Sequence, residues 1–327
     1  MSLPSRAAIN ERRHALVAEY RRTVWDKYEV VPFPHQAEWI LASEGWVLTD
    51  QAPTPGSPHT LVMLEDESIE PRLLIPRPDG AAHVLCDFAG FKSGKSWSGA
   101  MWMCGFAGVD GAAVDIIGLE YDTCEPEFNY LIEFLTSERG MNLSYSSLRN
   151  NKKDGAMWLT LDNGAHFECK SYRASRKSET MKGKTRDAYY FAEAYQLPGF
   201  HVWTHVSQNV RQRNGFGVFA TTPDRAWVRE LHDKAHGKDA YYHCTCDIDA
   251  QCNPFTFDKA AKDRDDPDKG GLMTRERFAV AWGGKVNRHI GAVYDYEKEA
   301  QMCTPLNFPQ LWSGAAVNLV ADVVASS

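Results

Sequence analysis

The feature that most constrains the fold is a short apolar segment that runs into a glycine-containing turn. Residues 84–88 have the length and composition of a buried strand, and the turn after them ends in Gly94, Lys95 and Ser96. In a phosphate-binding loop, backbone N–H groups and the N-terminus of the following helix surround phosphate oxygens. A lysine reaches the outer phosphates, and a Ser or Thr hydroxyl holds Mg²⁺. The sequence therefore predicts a nucleotide site at this turn, with Lys95 and Ser96 in those roles.

The loop departs from the pattern G-x-x-x-x-G-K-[ST] at its first position, where Ala89 stands in place of glycine. Alanine there would destabilise the loop by about 1 kcal/mol if the backbone were left-handed, and by little otherwise. An ordinary turn is the alternative interpretation, but residues 97–108 can form the following helix, which favours a nucleotide site. The residues expected to bind the nucleotide here are Ala89, Gly90, Phe91, Lys92, Ser93, Gly94, Lys95, Ser96 and Trp97.

The bulk composition limits the class of protein. The chain has 327 residues, of which 43% are hydrophobic, enough for one large domain or two modest ones. Its net charge of −7 excludes a surface coated with basic patches, so any contact with nucleic acid must be local or supplied by a ring of subunits. We see no long apolar run and no signal peptide, and we expect a soluble, intracellular protein without a membrane partner.

The N-terminal segment has the pattern of a helix. Residues 6–28 place Leu16, Tyr20 and Val24 on one face. Four arginines lie around the other faces: Arg12, Arg13, Arg21 and Arg22. We interpret the basic faces as solvated, with a DNA contact as the alternative.

Eight cysteines are spread along the chain without the density of a disulfide scaffold, and an intracellular location would keep them reduced. A zinc site is the alternative for one group, His243, Cys244, Cys246 and Cys252. The spacing is not usual for zinc, and residues 241–248 alternate like a strand. We therefore favour cysteines buried in the core.

Strands and helices alternate through the middle of the chain. Runs at 112–119, 187–194 and 215–220 have the character of strands, and residues 126–136 that of a helix. Asp162, Asn163 and Gly164 separate two strand-like runs and predict a hairpin. This alternation predicts a mostly parallel sheet that binds its ligand at the carboxyl ends of the strands.

Three strand ends carry motifs in a fixed order: G-K-S at 94–96, F-A-E-A at 191–194 and T-T-P at 221–223. Together with Gln36 upstream, this order resembles that of the large terminase subunit of tailed bacteriophages. The resemblance begins near Val31 and runs to the C-terminus. That family packages viral DNA with an N-terminal ATPase followed by an RNase H-like nuclease. The resemblance implies an α/β fold of the additional-strand (ASCE) class of P-loop NTPases, with a mostly parallel central sheet, flanking helices and a small lid subdomain.

The resemblance also implies roles for individual residues. Gln36 corresponds to a glutamine that recognises adenine, and Glu193 to the catalytic glutamate that polarises the attacking water. Thr221 and Thr222 correspond to a coupling motif that senses the γ-phosphate. The alternatives are a strand-end surface carboxylate for Glu193, a polar helix-start residue for Gln36 and a simple turn for the threonine pair.

Two positions depart from the family pattern. Ala192 stands where the family has the Walker B Asp that holds Mg²⁺ through its water shell, so we expect weak hydrolysis. Asp187 lies too far along the strand to substitute easily. Lys182 stands where many relatives carry an Arg that reaches a neighbouring subunit's ATP, and it keeps the charge without the planar fork. Further candidates for this role are Arg149, Arg173, Arg176 and Arg186.

We expect three regions. Residues 1–78 form a helical and lid segment with the adenine-recognition motif, residues 79–312 the ATPase core, and residues 313–327 the start of a truncated nuclease domain. Asp322 resembles the first metal-binding carboxylate of that nuclease. A lone carboxylate cannot hold two metal ions, so we expect no nuclease activity.

The predicted function is ATP hydrolysis, with ATP and Mg²⁺ as cofactors, that moves double-stranded DNA into a procapsid. The resemblance implies a homo-oligomeric ring, a portal protein and a small terminase subunit as partners, in the host cytoplasm. A non-hydrolysing ATP-binding assembly module is one alternative, which Ala192 favours. Another nucleic-acid-dependent P-loop ATPase such as a helicase is the other.

Overall fold

The computed structural model describes residues 5–29, 32–49, 60–62, 72–174, 184–236, 239, 241–248 and 275–286. The predictions for Arg176, Lys182, Cys252, Asp322 and the nuclease segment 313–327 lie outside the described residues. Within these ranges, no helix has both the length and the apolar character needed to span a membrane.

The described elements alternate as the sequence predicts. The helices are α1 (Arg6–Lys27), α2 (Pro34–Ala42), α3 (Lys95–Cys104), α4 (Tyr121–Thr136), α5 (His201–Arg211), α6 (Ala226–Ala235) and α7 (Arg275–Ala281). The strands are β1 (Trp46–Thr49), β2 (Thr60–Val62), β3 (Arg72–Pro76), β4 (Val84–Ala89), β5 (Ala113–Gly118), β6 (Tyr145–Asn151), β7 (Ala156–Leu161), β8 (His166–Ser171), β9 (Ala188–Phe191), β10 (Phe216–Thr221) and β11 (Tyr242–Ile248).

The central sheet has eight strands in the order β11-β4-β10-β9-β5-β8-β7-β6. The six strands from β11 to β8 are parallel, and β7 and β6 add an antiparallel edge. Strand β10 lies between β4 and β9, as the additional strand of the ASCE class does. The predicted fold class is therefore confirmed. Strands β1, β3 and β2 form a separate antiparallel sheet.

Successive side chains of the parallel strands point to opposite faces of the sheet and pack into two hydrophobic cores, one on each face. On one face Leu85, Val114 and Tyr190 pack with helices α1 to α4. On the other, Phe191 and Phe219 stack with ring centroids 4.4 Å apart and pack with helices α5 and α6. Burial on both faces explains why these strands read as continuous apolar runs in the sequence.

The register of the parallel strands aligns their carboxyl ends at one edge of the sheet. Phe88 of β4 pairs with Thr221 of β10, and Ile117 of β5 pairs with Phe191 of β9. The loops that follow β4, β9 and β10 therefore start at the same edge. These are the three loops that carry the predicted motifs.

The helical prediction for the N-terminus is confirmed, but its faces differ from the prediction. Leu16 is 40% exposed, whereas Val17, Arg21 and Val24 are buried. Arg21 is 2% exposed, so it does not belong to a solvated basic face. Its guanidinium pairs with Glu44 and donates to the backbone oxygen of Trp102 over 3.1 Å, which explains how its charge is accommodated.

Asp187 lies at the opposite end of strand β9 from the predicted site. It pairs with Arg13 of α1 at 2.6 Å and with Arg213, and it accepts the N–H of Ala113 over 2.7 Å. The carboxylate is thus fully engaged in holding α1 to the amino end of the sheet. It does not replace the missing carboxylate at position 192.

The other predicted elements agree with the structure to within a few residues. The Asp162-Asn163-Gly164 turn joins β7 and β8, which pair antiparallel. Helix α4 begins at Tyr121, five residues before the predicted start at Pro126. Pro126 is the sixth residue of this helix, so it lies inside the helix and does not mark the start, although a proline there removes one intrahelical hydrogen bond and crowds a preceding carbonyl.

Candidate functional site

The loop between β4 and α3 has the conformation that its glycines allow. Gly94 adopts a left-handed φ of 90° directly before the helix, and Lys92 adopts a φ of 62°. Helix α3 begins at Lys95, so the amides of its first turn have no acceptor within the helix and face the loop. This arrangement of amides at a helix N-terminus favours an anion.

The ammonium of Lys95 lies inside the loop. Its Nζ donates to the backbone oxygens of Ala89 over 3.0 Å and Gly90 over 2.8 Å. The side chain is buried, and it is an electrostatic neighbour of Asp87, Glu127 and His35. A bound phosphate would offer this ammonium a charged acceptor in place of two neutral carbonyls.

Two amides at the start of the loop donate to protein carbonyls. The N–H of Gly90 donates to Ile248 over 2.7 Å, and that of Phe91 donates to Ala281 over 2.6 Å. A Cβ on Gly90 would lie 2.3 Å from the backbone oxygen of Trp282, so glycine is required at this close approach. The segment after α7 therefore covers the first half of the loop.

Helix α2 packs its N-terminus onto the second half of the loop. Gln36 is buried, accepts the N–H of Phe33 over 3.0 Å and donates to Gly94 over 3.5 Å. His35 Nε2 lies 3.2 Å from the backbone oxygen of Ser93. Burial lowers the pKa of His35 to about 4, so the ring is neutral near pH 7. Gln36 is thus beside the loop where the resemblance puts it.

Glu193 follows strand β9 in a left-handed backbone conformation, with φ 42° and ψ 53°. This conformation disfavours a residue with a Cβ by about 1–2 kcal/mol and is often found at functional sites. Its Oε2 is buried and has no hydrogen-bond partner among the described residues. One carboxylate oxygen of Glu193 is thus shielded from solvent, while the residue as a whole is half-buried.

Ala192 is fully buried, and its N–H donates to Ile117 over 2.9 Å. Two other buried carboxyls lie near Lys95. Burial raises the pKa of Asp87 to about 6 and that of Glu127 to about 7, while Lys95 opposes both shifts. Ser96 is a polar neighbour of the Glu127 carboxyl and lowers its pKa against the effect of burial.

The two predicted coupling threonines are buried at the end of β10. The Thr221 hydroxyl accepts the N–H of Tyr195 over 2.9 Å and donates to the backbone oxygen of Thr222 over 3.0 Å. The Thr222 hydroxyl has no partner among the described residues. The pair is thus bonded to the loop that carries Glu193, and it is not an isolated turn.

Several buried polar atoms around the loop have no hydrogen-bond partner in the described part of the chain. They are Asp87 Oδ1, Ser93 Oγ, Glu127 Oε2, Glu193 Oε2 and Thr222 Oγ1. Buried polar atoms without partners are rare in proteins and are typical of positions that bind a water, an ion or a ligand. Three carboxyls beside one lysine fit a divalent cation, and the helix N-terminus fits phosphate, so the residues present suit Mg²⁺ with a nucleotide.

The arginines that are candidates for reaching a neighbouring subunit's ATP differ in burial. Arg186 is buried and pairs with Asp115 at 2.7 Å, so it cannot reach a neighbouring subunit. Arg149 stacks over the Trp158 ring at 5.5 Å on the antiparallel edge of the sheet. Arg173 is exposed, pairs with Glu120 and follows strand β8 at the carboxyl edge. Arg173 alone of these three lies on the side of the candidate site.

Sequence comparison matches one family model to the middle of the chain. Residues 88–236 match the model of the N-terminal region of the T4-type large terminase subunit. Over these residues the chain is similar to the large terminase family. The matched region starts in β4 and ends just after α6, so it contains the loop, Glu193 and both threonines. No curated protein matches the chain at a significant level.

Solved terminase structures are also similar to the chain. The large terminase ATPase domain of Thermus phage P74-26 is 16% identical with a TM-score of 0.48, and the match covers 63% of this chain and 89% of that domain. The large terminase of another thermophilic bacteriophage, solved in complex with ADP, is 15% identical with a TM-score of 0.46. That match covers 66% of this chain and 51% of the other.

Sequence reasoning missed His35, Asp87 and Glu127. Each is a single polar residue in an apolar or helical segment, without a motif around it. The only signal was a charged residue at a position where the periodicity of its strand or helix predicts burial, as with Asp87 in the apolar strand β4.

Proposed function

We propose that this terminase chain hydrolyses ATP with Mg²⁺ and uses the energy to move double-stranded DNA into a viral procapsid. The observation that carries the proposal is that Lys95, Glu193 and the Thr221–Thr222 pair follow three adjacent parallel strands at one edge of the sheet. This is the edge at which such sheets bind their ligands.

Each residue has a part in phosphoryl transfer, which needs positioning and charge more than covalent chemistry. Lys95 would leave the carbonyls of Ala89 and Gly90 and bind phosphate oxygens, and the amides of helix α3 would bind the rest. Ser96 would hold Mg²⁺, which neutralises phosphate charge when bound. The carboxylate of Glu193 would accept a hydrogen bond from the attacking water and orient it.

The remaining predicted residues complete the site. Gln36 would bind the adenine edge beside Gly94, where its side chain is already held. Thr221 and Thr222 would transmit hydrolysis to the rest of the subunit. Lys182 would supply a charge to a neighbouring subunit's nucleotide, with Arg173 as the candidate among the described arginines.

Ala192 favours a second candidate function, a module that binds ATP and does not hydrolyse it. Without a carboxylate at this position the metal has one negative charge fewer beside it. Such a module would still assemble into a ring. The partners in either case are a ring of identical subunits, a portal protein, a small terminase subunit and DNA, in the host cytoplasm.

Steady-state ATP hydrolysis, with and without double-stranded DNA, distinguishes the two candidates. DNA stimulates ATP hydrolysis by a motor, and this stimulation falls as salt rises because DNA binding depends on phosphate contacts. Glu193→Gln should abolish turnover and keep ATP binding, while Glu138→Gln on the exposed surface serves as the control. ATP binding without turnover by the unaltered chain under all DNA conditions would favour the module.

A further inference from the structure

Three metal-ligating side chains meet outside the nucleotide site. They are His232 and His236 at the end of helix α6 and Cys246 on strand β11. One ligand atom from each lies within 4.8 Å of the other two. The rings of His232 and His236 are stacked with centroids 4.1 Å apart, because residues four apart lie on one face of a helix.

This trio differs from the group weighed in the sequence. His243 and Cys244 point to opposite faces of β11, since side chains alternate along a strand. His243 Nε2 lies 3.4 Å from Glu38, and Cys244 is buried in the core with Cys86. Only Cys246 of that group turns toward the two histidines, and Cys252 lies outside the described residues.

The distance between the sulfur and one imidazole nitrogen suits a tetrahedral zinc ion. Zinc binds sulfur at about 2.3 Å and imidazole nitrogen at about 2.0–2.1 Å, which sets the two atoms about 3.6 Å apart at a tetrahedral angle. Cys246 Sγ and His236 Nε2 are 3.6 Å apart. His232 Nδ1 lies 3.2 Å from Asp233 Oδ1, the type of carboxylate contact that orients a ligand histidine and leaves Nε2 for the metal.

We infer that His232, His236 and Cys246 form a zinc site that fastens helix α6 to strand β11. Helix α6 starts four residues after Thr222, and β11 pairs directly with the loop strand β4. A metal here would therefore fix the helix that follows the coupling threonines against the strand beside the nucleotide loop. The inference is independent of whether ATP is hydrolysed.

The test is zinc and cobalt binding by the full chain after removal of metals with EDTA. We expect one Zn²⁺ per chain, and a Co²⁺ spectrum with thiolate charge-transfer bands. Cys246→Ser, His232→Ala and His236→Ala should each weaken zinc affinity by at least about 10–100-fold, the effect of losing even an outer-shell partner. The matched control is the His201→Ala, His205→Ala double variant, which removes an exposed pair of the same spacing without a thiol.

The cobalt spectrum of the unaltered chain tests the site even if a variant fails to fold. A Co²⁺ complex without thiolate bands would overturn the inference. So would a zinc affinity that is the same in the unaltered chain and in Cys246→Ser.

A second inference rests on the proposed function and concerns the carboxylate missing at position 192. Glu127 is 2% exposed, its Oε2 has no partner among the described residues, and its carboxyl has Ser96, the predicted metal ligand, as a polar neighbour. It comes from helix α4, which follows the neighbouring strand β5, and it lies in the electrostatic field of both Lys95 and Glu193.

The geometry points to Glu127 as the residue that supplies the metal-site charge absent at Ala192. A buried carboxylate against Ser96 can accept hydrogen bonds from the water shell of Mg²⁺, as a carboxylate at the end of β9 would. Loss of one carboxylate is therefore offset by the other.

The test is Mn²⁺ binding in the presence of ADP, measured by electron paramagnetic resonance, beside ADP binding in EDTA. Glu127→Gln keeps the shape of the side chain and removes its charge. We expect it to lower the affinity for Mn²⁺ by at least about tenfold, as the loss of a metal-shell partner does, and to leave ADP binding without metal unchanged. Adding Ala192→Asp should restore Mn²⁺ affinity. Glu133→Gln, on the exposed side of α4, is the control.

The outcomes separate this inference from the proposed function. Equal Mn²⁺ affinity in the unaltered chain and Glu127→Gln, with ADP bound in both, would overturn the role of Glu127 and leave the nucleotide site intact. Absence of ADP binding in the unaltered chain would instead contradict the proposed function itself.

Discussion

The hydroxyl of Thr221 accepts a hydrogen bond from the backbone N–H of Tyr195 over 2.9 Å. Thr221 ends strand β10, and Tyr195 follows Glu193 by two residues in the loop after β9. One side-chain contact thus joins the predicted coupling motif to the loop that holds the predicted catalytic glutamate. A movement of Glu193 on hydrolysis would be transmitted to β10 through this bond.

Thr221→Val tests this link. Valine keeps the shape and leaves the Tyr195 N–H without its acceptor, so we expect a loss of about 1–3 kcal/mol in unfolding free energy. ATP affinity should be nearly unchanged, whereas DNA should no longer stimulate hydrolysis. Urea denaturation and turnover assays measure both effects, with the exposed Thr204→Val as control. Full DNA stimulation in Thr221→Val would contradict the link.

Ala192→Asp should raise ATP hydrolysis, because it returns a carboxylate to the metal site. We expect at least about a tenfold gain, equivalent to about 1.4 kcal/mol in the barrier. The position is fully buried, so the same change should destabilise the chain without nucleotide by about 1–3 kcal/mol. Turnover and thermal melting with and without Mg-ADP measure the two effects. Ala194→Asp, also buried, should destabilise without a gain in turnover.

His35 should make the chain sensitive to acid. Its pKa is about 4 in the folded state, below the ordinary 6.5, so the unfolded chain binds more protons between those values. The stabilisation is complete above pH 6.5 and is lost as the pH falls toward 4. His35→Gln should remove about 2 kcal/mol of the stability difference between pH 7 and pH 5. Urea denaturation at both pH values checks this, and an unchanged difference would contradict it.

Glu44→Gln should be strongly destabilising, because it leaves the buried guanidinium of Arg21 without its counter-charge. Removal of one partner of a buried pair typically reduces stability by about 3–5 kcal/mol. Arg22 also pairs with Glu44, at 2.7 Å, but its side chain is more than half exposed and adds little. Urea denaturation beside the exposed Glu19→Gln measures the effect. Equal midpoints would show that Arg21 is solvated.

Local patterns in the sequence predict most of the helices and strands of the fold. The apolar strand before Gly94, the Asp162-Asn163-Gly164 turn and the run before Glu193 each have a short-range physical cause, and the structure contains each of them. The order of the strands did not follow from these patterns. The placement of β10 between β4 and β9 depends on contacts distant in sequence.

The residues that sequence reasoning missed are brought into place by tertiary packing. Glu127 reaches Ser96 only because α4 packs beside α3, and His35 reaches Ser93 only because α2 packs on the loop. The helical pattern places Arg21 on a solvated face, and its partner Glu44 lies in a different segment of the chain. Burial of a charged residue depends on a counter-charge that a helical pattern does not reveal.

The central claim is that the loop after β4 binds the phosphates of ATP through Lys95. Calorimetric titration of the full chain with Mg-ATP tests it most directly, beside Lys95→Ala and the exposed Lys153→Ala. We expect ATP binding by the unaltered chain and by Lys153→Ala, and none measurable by Lys95→Ala. The same affinity in Lys95→Ala would contradict the nucleotide site and the function proposed from it.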